Sequence, residues 1–259
     1  MKTIHIFRAF AFVLAGMLYS CEKVIDLDLN TSSSQIVIQG NVYDQAGPYT
    51  VRISRSVDFD EPGLYPAVIG ATVTISDNAG NSEVLSEDSS GVYNTSHLLG
   101  APGRTYMLKV ETDGQTYTAS STMPYAVKID SLYGEKSDFP DFIQLAVHFK
   151  DPADTANYYR LIDFINGKKQ ESIIVASDMA SEGKTINGTL MYAKEDLKPG
   201  DTYTLWLECV DKGVYDYFRT AAIFNGQAAS PANPLSNISN KALGYFNACS
   251  VRIKSIVVP

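Results

Sequence analysis

Apolar and polar residues alternate with period two along most of this chain. Residues 35–42, 49–54, 71–75, 105–110 and 115–119 are short runs rich in valine, isoleucine, threonine and tyrosine, the pattern of half-buried strands. Turn signals separate them: Gly47-Pro48, Asn78 to Asn81, Ser90-Gly91, Pro102-Gly103 and Asp113-Gly114. Asp113-Gly114 joins two alternating runs directly and predicts a two-residue hairpin. Further strands are predicted at 127–132, 143–149 and 158–165, and a last one at 244–258. Between them Val214, Tyr217, Phe218, Ala221 and Ala222 fall at helical spacing, which predicts a short helix over 214–224. A long polar loop through Pro231-Ala232-Asn233-Pro234 follows it.

The pattern repeats at the length of a domain. Pro102-Gly103-Arg104-Thr105-Tyr106-Met107-Leu108 recurs 97 positions later as Pro199-Gly200-Asp201-Thr202-Tyr203-Thr204-Leu205. A Pro-Gly turn before a tyrosine that opens a strand resembles the tyrosine corner of fibronectin-type and immunoglobulin-like domains, whose phenol reaches back to the main chain. Tyr106 and Tyr203 are thus expected to be structural corners. The predicted fold is all-β, two tandem immunoglobulin/fibronectin-III-like β-sandwiches at 35–124 and 125–259, the second carrying the short helix and long loop.

The N-terminus carries an address. Lys2 and Arg8 precede an apolar stretch at 9–18, and Leu18-Tyr19-Ser20 leads to Cys21. A basic start, a short apolar core and a small residue before the cut predict a signal peptide over 1–20. The apolar stretch is about half the ~20 residues a spanning helix needs. Leu18 and Ser20 before Cys21 resemble a bacterial lipobox, although Tyr19 is bulkier than usual there. Cys21 is then the lipid-attachment residue. A diacylglyceryl thioether with an added N-acyl chain is sufficient for stable anchoring where one chain is marginal. Residues 21–34 read as the acylated cysteine and a flexible tether.

Charge and chemistry narrow the function. Removal of the first twenty residues leaves 19 basic against 29 acidic residues, a balance of −10, which argues against a nucleic-acid partner. With Cys21 acylated, Cys209 and Cys249 remain, and two readings stay open: a disulfide, which an exported protein permits, or two buried free thiols. No nucleophile elbow or phosphate loop appears, and His97 and His148 lack neighbours at metal-ligand spacing. No catalytic residue, metal or cofactor is assigned. Three acidic clusters, at 58–61, at Asp77, Asn78, Asn81 and Glu83, and at Asp151 and Asp154, offer oxygen ligands without the order of a calcium loop. Aromatics concentrate in the second half, at Tyr158-Tyr159, Trp206, Tyr215, Tyr217-Phe218 and Tyr245-Phe246, and exposed ones would stack on a glycan or anchor a peptide. Asp130-Ser131-Leu132 and Asp154-Thr155-Ala156 resemble bacterial O-glycosylation sequons.

A set of segments in fixed order resembles one family. They include 21–28, 48–54, Gly70-Ala71-Thr72-Val73-Thr74-Ile75, Gly91-Val92-Tyr93, Ile129-Asp130-Ser131-Leu132, Asp151-Pro152, Asn157-Tyr158-Tyr159-Arg160, 231–234 and Gly244-Tyr245-Phe246. They are similar to DUF4249, outer-membrane lipoproteins of Bacteroidota with no established activity. Gly70-Ala71-Thr72-Val73 also resembles the carboxypeptidase-regulatory-like sandwiches found beside TonB-dependent receptors. The resemblance implies a lipid-anchored outer-membrane protein that serves such a receptor without being an enzyme, and Glu22-Lys23 beside the anchor, with acids soon after, hints at export to the cell surface. A structural or adhesive module and a hydrolase with an unrecognised site are the competing readings.

Overall fold

The alternating runs become strands where the sequence predicts them. A computed structural model of the chain describes residues 34–57, 65–179, 181–224 and 233–259. The first half contains β1 (Ile36–Tyr43), β2 (Thr50–Arg55), β3 (Thr72–Asp77), β4 (Ser82–Val84), β5 (Ser86–Ser89), β6 (Val92–Asn94), β7 (Thr105–Thr112) and β8 (Gln115–Thr122). In β1, β3 and β7 every second side chain is buried. The β7–β8 hairpin closes through Asp113 and Gly114 at φ 50° and 69°. Two left-handed residues make the turn whose twist matches the strands it joins, and glycine adopts that conformation without strain.

The second half contains β9 (Ile129–Glu135), β10 (Phe142–Lys150), β11 (Tyr158–Ile165), β12 (Lys168–Lys169), β13 (Ile174–Ser177), β14 (Thr185–Ala193) and β15 (Thr202–Val210). Helix α1 (Lys212–Phe224) and β16 (Leu243–Val257) complete it. Among the described residues the strands form three sheets. The longest has nine strands in the order β12-β11-β15-β16-β1-β2-β6-β5, with β13 also paired to β11. A four-stranded sheet, β4-β3-β7-β8, packs on one half of it, around Ile38, Val51, Ile75, Leu108 and Phe246. A three-stranded sheet, β14-β10-β9, packs on the other half, around Leu145, Phe149, Leu161, Leu205 and Leu207. The all-β, two-sandwich class and the helix in the second half are as expected.

The last strand departs from the expectation that 125–259 belong to the second sandwich alone. The first part of β16 runs parallel to β1, from Val37 opposite Leu243 to Tyr43 opposite Cys249. Its second part runs antiparallel to β15, from Cys209 opposite Ser250 to Thr202 opposite Val257. One fifteen-residue strand therefore belongs to both sandwiches. Gly244 admits the parallel approach: its φ is 96°, and a Cβ there would lie 2.0 Å from the Ile38 carbonyl oxygen. Residues 34–259 form one compact unit.

The two tyrosines of the repeat differ. Tyr106 is a true corner, its hydroxyl accepting from Ala101 N–H at 2.7 Å and donating to the Leu99 carbonyl at 3.3 Å. Tyr203 is equally buried, but its hydroxyl meets the Tyr192 hydroxyl at 2.9 Å. Tyr192 donates in turn to Asp163, a carboxylate sealed in the second core. A buried carboxylate is the stronger acceptor, and it draws both phenols away from the main chain.

Cys209 and Cys249 are free buried thiols rather than a disulfide. Cys209 pairs across the ladder with Ser250 and faces the second core, while Cys249 faces the helix side with Val210. Alternation along β16 places the two sulfurs on opposite faces of the sheet, where no bond can join them. Burial raises the Cys209 thiol to about 11 and lifts Cys249 well above its ordinary value.

Candidate functional site

The long sheet has a second face, turned away from both sandwich cores, and it gathers the polar and aromatic residues of the second half. Asp211 starts the helix that covers its middle. One carboxylate oxygen of Asp211 accepts the Val214 N–H at 2.9 Å, satisfying a free donor of the first turn. The other accepts the Ser121 hydroxyl at 2.5 Å and the Thr122 N–H at 3.1 Å. The same carboxylate therefore caps the helix and ties it to the first sandwich. At the other end the Thr220 hydroxyl accepts the Leu235 N–H at 2.9 Å.

Beneath α1 lies a mixed layer. Val210, Val214, Phe218 and Cys249 are buried, with Tyr43, Tyr158, Tyr215, Tyr217 and Tyr245 packed against them. The Phe218 and Tyr245 rings lie 4.8 Å apart and those of Tyr158 and Tyr215 5.0 Å apart. Arg160 stands over the Phe218 ring at 3.6 Å and pairs with Glu208 at 3.2 Å. Arg160 and Glu208 are directly opposite on β11 and β15, so the ladder register makes the pair. Glu208 is wholly buried, and burial lifts its carboxyl above the usual range against the pull of Arg160. Its second oxygen has no partner among the described residues, nor has the Asn247 side-chain oxygen. The Asn247 amide donates to Asn41 at 3.3 Å. Removing either charge would leave the other stranded.

Beyond the helix no described residue covers the same face. Ile162 pairs across the ladder with Trp206, and Trp206 with Ile253. Phe164 lies beside Trp206, ring centroids 5.1 Å apart and planes inclined at 39°. Phe164 and Trp206 are half-buried, while Ile253 is 53 % exposed. Where β12 and β13 part along the edge, a depression of about 360 Å³ opens next to this stripe, lined by Arg160, Lys169, Gln170 and Ser172 among others. Loss of solvent and the nearby Arg160 guanidinium lower the Lys169 ammonium below its ordinary value. A ligand here would meet an inclined pair of aromatic faces and several hydrogen-bonding groups, the chemistry of stacking and polar recognition.

The other residues raised by the sequence lie apart from this face. Two larger depressions, about 530 and 710 Å³, meet at His97 at the loop end of the first sandwich. The acids at and beside them are already engaged, Asp88 by the Asn94 amide at 2.7 Å. Glu83 accepts the N–H groups of Ser96, His97 and Leu98, and Asp77 those of Ala79 and Asn81, the Asn81 amide and Arg104. Burial acts to raise both carboxyls, but these donors outweigh it and hold them below the carboxylate range. Asp151 takes the Tyr159 hydroxyl and the Gly183 N–H. Both of these acidic clusters therefore hold loops with N–H and O–H donors. His148 is a strand residue edge-on to Tyr133, ring centroids 5.5 Å apart. Cys21 and the acidic cluster at 58–61 lie outside the described residues. No helix among the described residues is long and apolar enough to cross a membrane.

Sequence reasoning singled out Trp206, Tyr158 and Tyr245 by type but missed Arg160 and Glu208. Their only signal was a charge in each of two strands, and the pairing became visible only with the register.

Residues 22–255 match the model of one family, described as a domain of unknown function (DUF4249). The chain belongs to this family. No curated protein matches it in sequence. Among solved structures, the chain is similar to a pullulanase from Anoxybacillus sp. LM18-11 crystallised with maltotriose, at 15 % identity and a TM-score of 0.23. The match covers 66 % of this chain and 24 % of that enzyme, so the DUF4249 chain spans about a quarter of its length.

Proposed function

We propose that this chain is a non-enzymatic outer-membrane lipoprotein, held through Cys21, that assists a TonB-dependent receptor in nutrient uptake by binding on its open sheet face. The observation that carries the binding role is the half-buried Phe164–Trp206 pair, laid on a sheet face that no other described element covers, beside the depression that holds Lys169. Exposed aromatic side chains give large contact area at low entropic cost. The strongest polar pair of the face, Arg160 with Glu208, is buried and engaged with itself, which suits a supporting role better than a reacting one. The signal-like start and the lipobox-like Leu18-Tyr19-Ser20-Cys21 support the anchor, and the family resemblance supports the receptor context.

The test is purification of the tagged full chain from detergent-solubilised membranes, beside its Trp206→Ala variant. The expected outcome is a receptor channel retained by the wild type and reduced at least about tenfold in the variant, a loss of about 1.4 kcal/mol or more. Recovery of the wild-type chain alone, time after time, would overturn the reading. Cys21→Ser should release the protein from the membrane, and its retention there would remove the anchor.

A further inference from the structure

Two cations border the depression beside Trp206. Arg160 reaches it from β11 and Lys169 from β12. The ladder register fixes their places. Lys169 lies directly opposite Phe164, while Ile162, opposite Trp206, stands between Phe164 and Arg160 along β11. Every second residue of a strand shares a face. Lys169, Phe164, Ile162 and Arg160 therefore lie on the side that carries Trp206.

Neither cation has its full set of acceptors. The Arg160 side chain is 11 % exposed. A guanidinium offers several N–H donors in a fixed fork, yet among the described residues its only acceptor is one Glu208 oxygen at 3.2 Å. The donors left over border the depression, where only solvent or a ligand can supply an acceptor. Lys169 forms no ion pair among the described residues. Loss of solvent and the Arg160 charge both lower its ammonium, and an anion beside it would relieve both effects. Glu208 cannot serve the two cations together, because it is wholly buried and burial lifts its carboxyl toward the neutral form.

The rest of the lining narrows the ligand. Gln170 donates to the Lys168 carbonyl and Ser172 to Asp163, each at 2.8 Å, which leaves both side-chain oxygens able to accept. Glu171, exposed on the same lining, repels a second negative charge. The main-chain groups of β11 are spent on β12, β13 and β15, so this face offers side chains alone. A peptide would find no ladder here for its own main chain. A sugar ring brings hydroxyls that donate to the free oxygens and an apolar C–H face for Phe164 and Trp206.

We propose that this face binds an acidic sugar, its ring stacked on Phe164 and Trp206 and its single carboxylate held by Lys169 and Arg160. The assignment rests on the binding role proposed above and adds the class of ligand. Hydrogen bonds from charged donors to a carboxylate are shorter and stronger than neutral ones, so the carboxylate is the group the site selects.

The probe is a disaccharide of one neutral sugar and one glucuronic acid, compared with its methyl ester, which keeps the rings and removes the charge. Binding to the full chain in detergent is measured by isothermal titration calorimetry. The acid should bind about tenfold more tightly than the ester at low salt, and the gap should narrow as salt screens the charges. Lys169→Gln should close the gap, whereas Lys169→Arg keeps the charge and should retain most of it. Equal binding of acid and ester, no binding of either, a gap kept by Lys169→Gln, or one lost as fully in Lys169→Arg would each overturn the proposal. Tighter binding of a glutamate tripeptide than of the acid would do the same. Receptor retention in the co-purification is a separate readout. It persists when the ligand class alone is wrong, and sugar binding without a receptor removes only the uptake role.

Discussion

The Asp211 carboxylate accepts the hydroxyl of Ser121 at 2.5 Å while capping helix α1, and Ser121 in turn accepts the Ala248 N–H of β16 at 2.9 Å. The helix start, the end of β8 and the shared strand thus meet at two side chains. Asp211→Ala should lower stability by about 2 kcal/mol, from a lost cap and lost charge-assisted hydrogen bonds. Urea denaturation checks this, and a helix edge that opens first in hydrogen exchange should accompany it.

Trp206 is the one tryptophan of the chain, and it sits on the open face. Its fluorescence therefore reports that face alone. A ligand stacking there should shift its emission to shorter wavelength as water leaves the indole. Titration with soluble glycans and peptides would show this, and Trp206→Phe should retain measurable binding while Trp206→Ala should not.

Glu208 gives stability a pH dependence of definite sign. Its folded-state value is raised, mainly by burial, so its contribution is present below the unfolded value and is lost as pH rises through the folded one. Glu208→Gln keeps the shape and removes that slope. The variant leaves Arg160 without its partner and should start less stable, but its deficit relative to wild type should shrink as pH rises from the ordinary carboxylate range to the raised value, read from urea midpoints at stepped pH.

Glu83 has the opposite sign. Its value is lowered because the N–H donors of Ser96, His97 and Leu98 outweigh its burial. Its contribution is present above the unfolded value and disappears as pH falls through the folded one. Glu83→Gln should destabilise the protein at neutral pH and flatten the acid side of the same stability profile.

The two core thiols should be silent until the protein unfolds. With the Cys209 thiol near 11, about one molecule in a thousand carries the thiolate at pH 8, and burial excludes reagent. Labelling with a thiol-reactive dye should follow global unfolding for both Cys209 and Cys249. Non-reducing mass analysis should find both unpaired.

Much of the fold could be read from alternation because most strands have one face in a core and one in water. Asp113-Gly114 was equally readable, since two left-handed residues between alternating runs leave few other geometries. β16 was readable as a strand but its double membership was not. From Phe246 to Val251 it is buried on both faces, by the cores on one side and α1 on the other, and polar Asn247 and Ser250 obscure the period. β14 escaped notice because Asn187-Gly188 has the composition of a turn. There glycine serves close packing instead, for a Cβ would lie 2.9 Å from a Val147 methyl. The site was half readable: residue type marked Trp206, while only strand register reveals that Arg160 and Glu208 form a pair.

The shared strand also governs the order of assembly. In the nine-stranded sheet β1 lies between β2 and β16, and the latter segment begins at Leu243, some two hundred residues later in the chain. Until that segment arrives the first sandwich lacks an interior strand, and Ile38, Val42 and Val51 lack the Phe246 and Ala248 contacts of their core. Contacts of such sequence separation form late and slowly. The N-terminal half is thus kept open during synthesis, and both halves should close in a single cooperative event.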